Sequence, residues 1–227
     1  MAREASAAAG GRRERYRAQT REEVKDLALK QIRVGGPEAL SLNAIGKEMG
    51  VSGPAIYRYF AGRKELLAEL VTDAYRDLAD VLERAAADEA EARERVIHMA
   101  AAYRDWALKQ PHRYHLLFSS FPGSGLNSSD ALVREAHRSM SAILSVLEGL
   151  TAGSTKRSKL DRQLEGWLRK RSGPKVRGAV ARAGVAFWTR LHGVLSLELH
   201  GHFESMGFDP GLIYDAEVDD FVSSLKR

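Results

Sequence analysis

The sequence predicts an all-α protein: an N-terminal helix-turn-helix domain of three helices, joined by a long helix to a C-terminal helical bundle. Three observations lead there. Apolar residues recur at helical spacing along most of the 227 residues, there are only six prolines, and no segment sustains the period-2 alternation of a half-buried strand. With 44% hydrophobic and 29% charged residues the chain is ordinary for a globular protein and long enough to bury a core.

The elements follow in order. Residues 1–14 are expected to form a disordered arm. A helix over 15–33 places Val24, Leu27, Ala28 and Ile32 on one stripe. Thr20 with Glu23 resembles a capping box, although the arginine-rich stretch before it leaves a backward extension open. Gly35-Gly36-Pro37 stops this helix. A short helix over 42–49, capped by Ser41, buries Leu42, Ile45 and Met49, and Gly50 permits a tight turn. A third short helix starts at Ser52, an N-cap worth about 1 kcal/mol. Val51 and Ile56 make a hydrophobic staple that sets the angle at which the chain enters it. After a break at Gly62 a long helix over 63–87 carries Leu67, Leu70, Val71, Ala74, Leu78 and Leu82. Further helices are expected over 89–110, 111–119, 130–150, 174–202 and 210–226. The run Phe121-Pro122-Gly123-Ser124-Gly125 has clear turn chemistry, and 151–156 reads as a polar linker. The domains are therefore expected at 15–64 (helix-turn-helix) and 65–227 (helical bundle).

Several classes are excluded at once. No run approaches the roughly 18 apolar residues of a membrane-spanning helix. Residues 1–10 carry Arg3 and Glu4 but no apolar stretch, so no secretory signal is expected. The absence of cysteine removes disulfides, thiolate zinc sites and cysteine nucleophiles. A cytoplasmic protein is the expectation. There is no internal repeat, no phosphate loop and no nucleophile-base-acid constellation, so neither an enzyme nor a cofactor is expected.

Charge is distributed in blocks. Net charge is +4 over residues 1–70, −3 over 71–150, +8 over 151–182 and −4 over 183–227. The first basic block suits a polyanion partner, although a charge run is commonly only a solvated face. The second has three readings: a solvated linker, an auxiliary phosphate grip or anionic-effector patch, or an amphipathic lid. The lid reading rests on Leu160, Leu164, Trp167 and Leu168, spaced i, i+4, i+7, i+8.

Residues 42–60 have the spacing of a helix-turn-helix. On a helical wheel Ile56 and Phe60 lie within about 40° of each other and face the core. Pro54 and Arg58 fall opposite, flanked by Ala55, Tyr57 and Tyr59. One cation, two phenols and small residues suit a DNA major groove. A phenol O–H donates to phosphate oxygen, and Arg58 can reach a guanine edge or a phosphate. Gly53 and Ala55 let the backbone approach bases, and the Ala55 methyl can meet that of thymine. Arg63 and Lys64 are placed to grip the backbone beside the groove. Ser52 and Asn43 complete the candidate DNA-facing set.

Two stretches carry a resemblance: Ile45-Gly46-Lys47-Glu48-Met49-Gly50-Val51-Ser52, and Ala55-Ile56-Tyr57-Arg58-Tyr59-Phe60-Ala61-Gly62-Arg63-Lys64-Glu65-Leu66-Leu67. They resemble the N-terminal domain of TetR-family transcriptional regulators. The resemblance implies a dimeric, all-helical, ligand-responsive repressor of a palindromic double-stranded DNA operator. By matching position it implies Ser41, Tyr57, Tyr59 and Arg63 as phosphate contacts, with Gly53, Pro54 and Ala55 near bases. Tyr59 stands where the family more often has histidine, and Arg63 where it has lysine. Farther on, the stretch from Pro111 to Phe118, and Trp188 to Leu199 with His192-Gly193, are similar to a TetR regulatory domain named for a Trp-His-Gly signature. Residues 151–173 look like an insertion in that pattern.

Homodimerisation is expected through two apolar helices. One carries Val180, Val185, Phe187, Leu191, Val194, Leu195 and Leu199; the other carries Tyr214, Val218, Phe221, Val222 and Leu225. A small-molecule effector site is expected where Met99, Tyr103 and Trp106, on one helix face, meet His112, His115, Phe118, Phe121, Phe187, Trp188, Leu191 and His192. The competing reading of these aromatics is plain core. Seven histidines leave a metal-sensing alternative, with His112 and His115 at i, i+3 and His200 beside His202, although no carboxylate-histidine zinc motif is present. A helical ligand-binding protein that does not bind DNA is the remaining alternative.

Overall fold

A computed structural model describes residues 2–118, 129–151, 157–170 and 173–225, with the backbone alone through residue 10. Among the described residues ten α-helices run in order: α1 (Ala2–Gly35), α2 (Leu42–Glu48), α3 (Gly53–Ile56), α4 (Arg63–Ala86), α5 (Ala92–Lys109), α6 (Pro111–Phe118), α7 (Asp130–Glu148), α8 (Lys159–Lys170), α9 (Gly178–Leu199) and α10 (Pro210–Ser224). Single 3₁₀ turns lie at Pro37–Ala39 and Glu204–Met206, and no strand occurs among the described residues. The all-α class stands.

Two compact units form. The first holds the chain up to Ala74 and resumes at His112; the second holds Tyr75–Pro111 and resumes at Ser128. In the first, Val24, Ala28 and Ile32 of α1 pack with Leu42 and Ile45 of α2, Ile56, Phe60, and Leu66, Leu67 and Leu70 of α4; Leu116 of α6 joins the same cluster. Lys25 on α1 reaches Asp73 on α4 at 2.6 Å. Gly50, at φ 69°, is in the left-handed region and makes the turn after α2 that a side chain would strain.

Three local expectations change. From Ala2 on, the stretch expected to be a disordered arm is described as helix: α1 runs back to Ala2. Ala5, Ala7, Ala8 and Ala9 are the best helix formers, and Gly10-Gly11 are the weak point of this stretch, each costing about 1 kcal/mol against alanine. The Ser52 side chain makes no capping hydrogen bond; Pro54 in the first turn, with its fixed φ, starts α3 instead. And α3 is a single turn. Beyond Ile56 the backbone bonds tighten to i→i−3, from Arg58 N–H to the Ala55 carbonyl (3.2 Å) and from Tyr59 N–H to that of Ile56 (3.0 Å), which swings Phe60 into the core.

In the second unit α9 is central, packed by α5, α7, α8 and α10. Its Val180, Phe187, Leu191, Val194 and Leu195 are buried within the protomer, as are Tyr214, Val218, Phe221 and Val222 of α10. These stripes therefore form the chain's own core, with Phe187 on Phe221 at 5.4 Å between ring centroids. That corrects their assignment to a dimer surface; a helix with neighbours on most sides is apolar for that reason alone. The Tyr214 hydroxyl donates to the Ala100 carbonyl at 2.7 Å, and Arg104 chelates Glu198 (2.6 and 3.2 Å) beside the Tyr214 ring.

Much of the second basic block is no linker. α8 lays Leu164, Trp167 and Leu168 against Met140 and Leu144 of α7 and Ala181 and Val185 of α9. Asp161 clasps it there, accepting from Arg182 (2.9 Å) and the Ser158 N–H (2.8 Å). The Ser158 N–H, aided by Arg182 and opposed by burial, holds the Asp161 carboxyl below the usual carboxylate range. Since its folded-state pKa lies below the unfolded one, the clasp stabilises above about pH 4 and weakens as pH falls through the folded value. Gly178 permits the close approach: a Cβ there would sit 2.4 Å from the Asp161 Cβ and 2.8 Å from its Cα. Gly178→Ala should therefore prise α8 from α9 at a cost of about 1–3 kcal/mol. Limited trypsin digestion checks this: cleavage after Arg169 and Lys170 should accelerate in the variant, and an unchanged rate would contradict the clasp.

Candidate DNA-binding site

Residues 52–59, the candidate reading segment, stand on a rigid back. Ser41 caps α2, accepting from the Ala44 N–H at 3.3 Å, while its own N–H donates to the Gln31 carboxamide at 2.8 Å. Ile56 and Phe60 are fully buried, so the residues between and before them are turned outward. Ser41, Asn43, Ser52, Gly53, Pro54, Tyr57, Arg58 and Lys64 are exposed; Ala55, Tyr59 and Arg63 are half-buried. Nothing in the fold requires glycine at 53, where a Cβ would meet only the Asn43 Oδ1 at 4.0 Å.

Two residues that sequence reasoning missed hold the segment in place. Arg17 donates to the Arg58 carbonyl at 3.2 Å. Arg21 donates to the Tyr59 carbonyl, pairs with Glu69 and lies over the Phe60 ring at 4.0 Å. The signal was present in their spacing. Arg17, Arg21, Val24 and Ala28 form an i, i+4, i+7, i+11 stripe, so α1 presents its guanidiniums on the side that packs the core. The Ala61 N–H donates to Glu65 at 2.6 Å and closes the turn into α4.

Arg63 is placed differently from expectation. Its guanidinium bridges the Pro37 carbonyl and Glu38, both at 2.8 Å, rather than standing free beside the groove. Glu38 is 87% exposed, so that ion pair is worth at most about 1 kcal/mol and is readily exchanged.

The expected effector residues are divided between the two units. Met99, Tyr103 and Trp106 are buried on α5, with Tyr103 stacked on Trp106 at 6.4 Å and the Trp106 indole N–H donating to Asp77 at 2.8 Å. Phe187 and Leu191 are buried on α9, where Trp188 stacks on His192 at 5.6 Å and burial pulls the His192 pKa down. His115 and Phe118 belong to the other unit and pack around Tyr114 at 5.9 and 4.9 Å. In that unit burial, with Arg33, Arg113 and His115 nearby, depresses the His112 pKa. Phe121 lies outside the described residues. Trp106 also borders an open cleft of about 480 Å³ with Asp77, Arg84, Asp88, His98 and Lys109. Among the described residues no three His, Asp or Glu side chains converge as a metal site requires, and no helix is long and apolar enough to cross a membrane.

An exposed helix-turn-helix on an all-helical body defines a transcriptional regulator that binds DNA through that motif. The chain belongs to the TetR family. Residues 26–70 match the description "Bacterial regulatory proteins, tetR family", and residues 96–221 match "Tetracyclin repressor-like, C-terminal domain". The chain is 31% identical over 226 residues to the HTH-type transcriptional regulator Rv1816 of Mycobacterium tuberculosis, covering 95% of this chain and 96% of that one. The crystal structure of the regulatory protein SCO4313 superposes with a TM-score of 0.79 at 44% identity, covering 92% of this chain and 98% of that one. FadR from Bacillus subtilis, solved with stearoyl-CoA, shares the fold at a TM-score of 0.57 and 15% identity, over 89% of this chain and 97% of that one. The matched families and relatives are transcriptional regulators, not enzymes.

Proposed function

We propose that the protein is a ligand-responsive repressor that binds a palindromic operator as a homodimer and releases it when a small-molecule effector binds. The observation that carries the reading is the outward face of residues 52–59. It has no carboxylate, exposes Tyr57 and Arg58, and is braced from behind by Arg17 and Arg21. In this reading Gly53, Pro54 and Ala55 approach base edges, and Arg58 takes a guanine edge or a phosphate. Ser41, Asn43, Ser52, Tyr57, Tyr59 and Lys64 hold phosphates, and Arg63 joins them by exchanging Glu38 for one.

One turn of helix spans too few base pairs for an address in a genome, and a two-fold pair doubles the contacts. The protomer's own core absorbs the inward stripes of α9 and α10, so the second copy is assigned to their outer sides, where Leu197, Leu212 and Ile213 are exposed. The effector site belongs to the helical second unit, and a ligand that prefers one spacing of the two reading segments shifts the dimer toward it. Selection of bound fragments from random and genomic DNA tests the reading. A palindrome with half-sites about one helical turn apart is the expected product. Equal binding of the selected and scrambled duplexes would sink it.

A further inference from the structure

The first half of α1 has no core to lie on. From Arg12 to Gln19 its side chains are exposed, and burial begins only at Thr20. Arg12, Arg13, Tyr16 and Arg17 fall within about 140° of arc, while Glu14 and Arg15 point elsewhere. Those four residues, together with Arg58 and Tyr59, line one open cleft of about 720 Å³. Four arginines and two tyrosines therefore line it, and no acidic residue is among them. The hydrogen bond from Arg17 to the Arg58 carbonyl fixes this stretch of α1 against the end of the reading segment.

Four like charges around one space repel unless an anion sits between them. The guanidinium fork matches phosphate oxygens in pairs, and the phenols donate to the same oxygens. A duplex seated on residues 52–59 brings a row of phosphates past Arg58 and onward along α1. We propose that the N-terminal part of α1 is a second phosphate grip, holding the DNA backbone that flanks the base pairs under residues 53–58. The inference rests on the DNA-facing reading of residues 52–59 and extends the footprint beyond the helix-turn-helix.

The test uses the full chain and the palindrome obtained by selection, prepared with ten base pairs of flank on each side and again without flanks. In the R12A/R13A double variant the slope of log K against log salt should become shallower by about 1.8 per bound protomer, about 0.9 for each lost phosphate contact. Trimming the flanks should weaken the wild type and leave the variant unchanged, while R12K/R13K keeps the wild-type slope. Circular dichroism should show undiminished helix, since alanine is the better helix former. An unchanged slope and unchanged flank dependence in the variant, with palindrome binding intact, overturns the grip alone. A wild type that does not prefer the palindrome to a scrambled duplex overturns the reading of residues 52–59 and the grip with it.

Discussion

A Phe60→Ala variant is expected to lose operator binding although Phe60 touches no DNA. The ring is fully buried in the first unit, among Ile45, Ile56, Leu66 and Leu67 of the same cluster, with the Arg21 guanidinium over its face. Removing a buried phenyl costs about 3–5 kcal/mol, the sum of lost transfer energy and the cavity left behind. A unit this small has little to spare, since whole domains are stable by only about 5–15 kcal/mol. The chain between α3 and α4 has no other deep anchor: Tyr57, Arg58 and Ala61 are exposed. Loss of Phe60 also removes the surface on which Arg21 rests while it holds the Tyr59 carbonyl. Tyr57→Ala supplies the contrast. It trims a side chain that is 46% exposed and should change stability by no more than about 0.5 kcal/mol. Thermal unfolding followed by circular dichroism, read beside operator affinity, separates the two. Phe60→Ala should lower both stability and affinity, Tyr57→Ala affinity alone. A Phe60→Ala protein that melts like the wild type would show that the ring does not anchor the segment.

The fold was legible because its signals are local. Periodic apolar positions placed the helices, and Gly50 and Gly62 placed the breaks around the reading segment. What the sequence left ambiguous is what touches each stripe. Phe187, Leu191 and Tyr214 carry the same apolar signature whether they face a second copy, a ligand or their own chain, and only packing against α5, α7, α8 and α10 distinguishes these. Likewise the basic block around α8 looks solvated by composition, yet Arg182 pairs with Asp161 and Arg157 with Glu165, so both of its carboxylates are spent on local ion pairs while most of its cations stay unmatched by them.

In the candidate site, the residues facing outward followed from the burial of Ile56 and Phe60, both readable from spacing. Their supports did not. Arg17 and Arg21 lie about forty residues before the carbonyls they hold; their spacing puts them on the same stripe of α1 as Val24 and Ala28 but does not name partners so far along the chain. The same holds for Arg63, whose partners at Pro37 and Glu38 come from the 3₁₀ turn after α1.

Operator affinity is expected to fall by about 10²–10⁴ between 50 and 200 mM salt, the largest single effect the site implies. Each protomer presents Arg58 and Lys64 exposed, with Arg63 available by exchange of Glu38 and the arginines of α1 alongside. Two to four of these on phosphates give roughly four to eight released counterions per dimer, and each contributes a slope of about 0.9 in log K against log salt. Variants divide by charge. Lys64→Ala should flatten the slope by about 0.9 per protomer. Tyr57→Ala removes a neutral donor and should leave the slope alone while weakening binding about tenfold per protomer at every salt, the worth of one hydrogen bond of about 1.4 kcal/mol. Fluorescence anisotropy across a salt series measures both. A slope near zero would mean that the basic face does not lie on phosphates, whatever sequence the protein selects, because base-edge contacts release few ions and could not mimic the dependence.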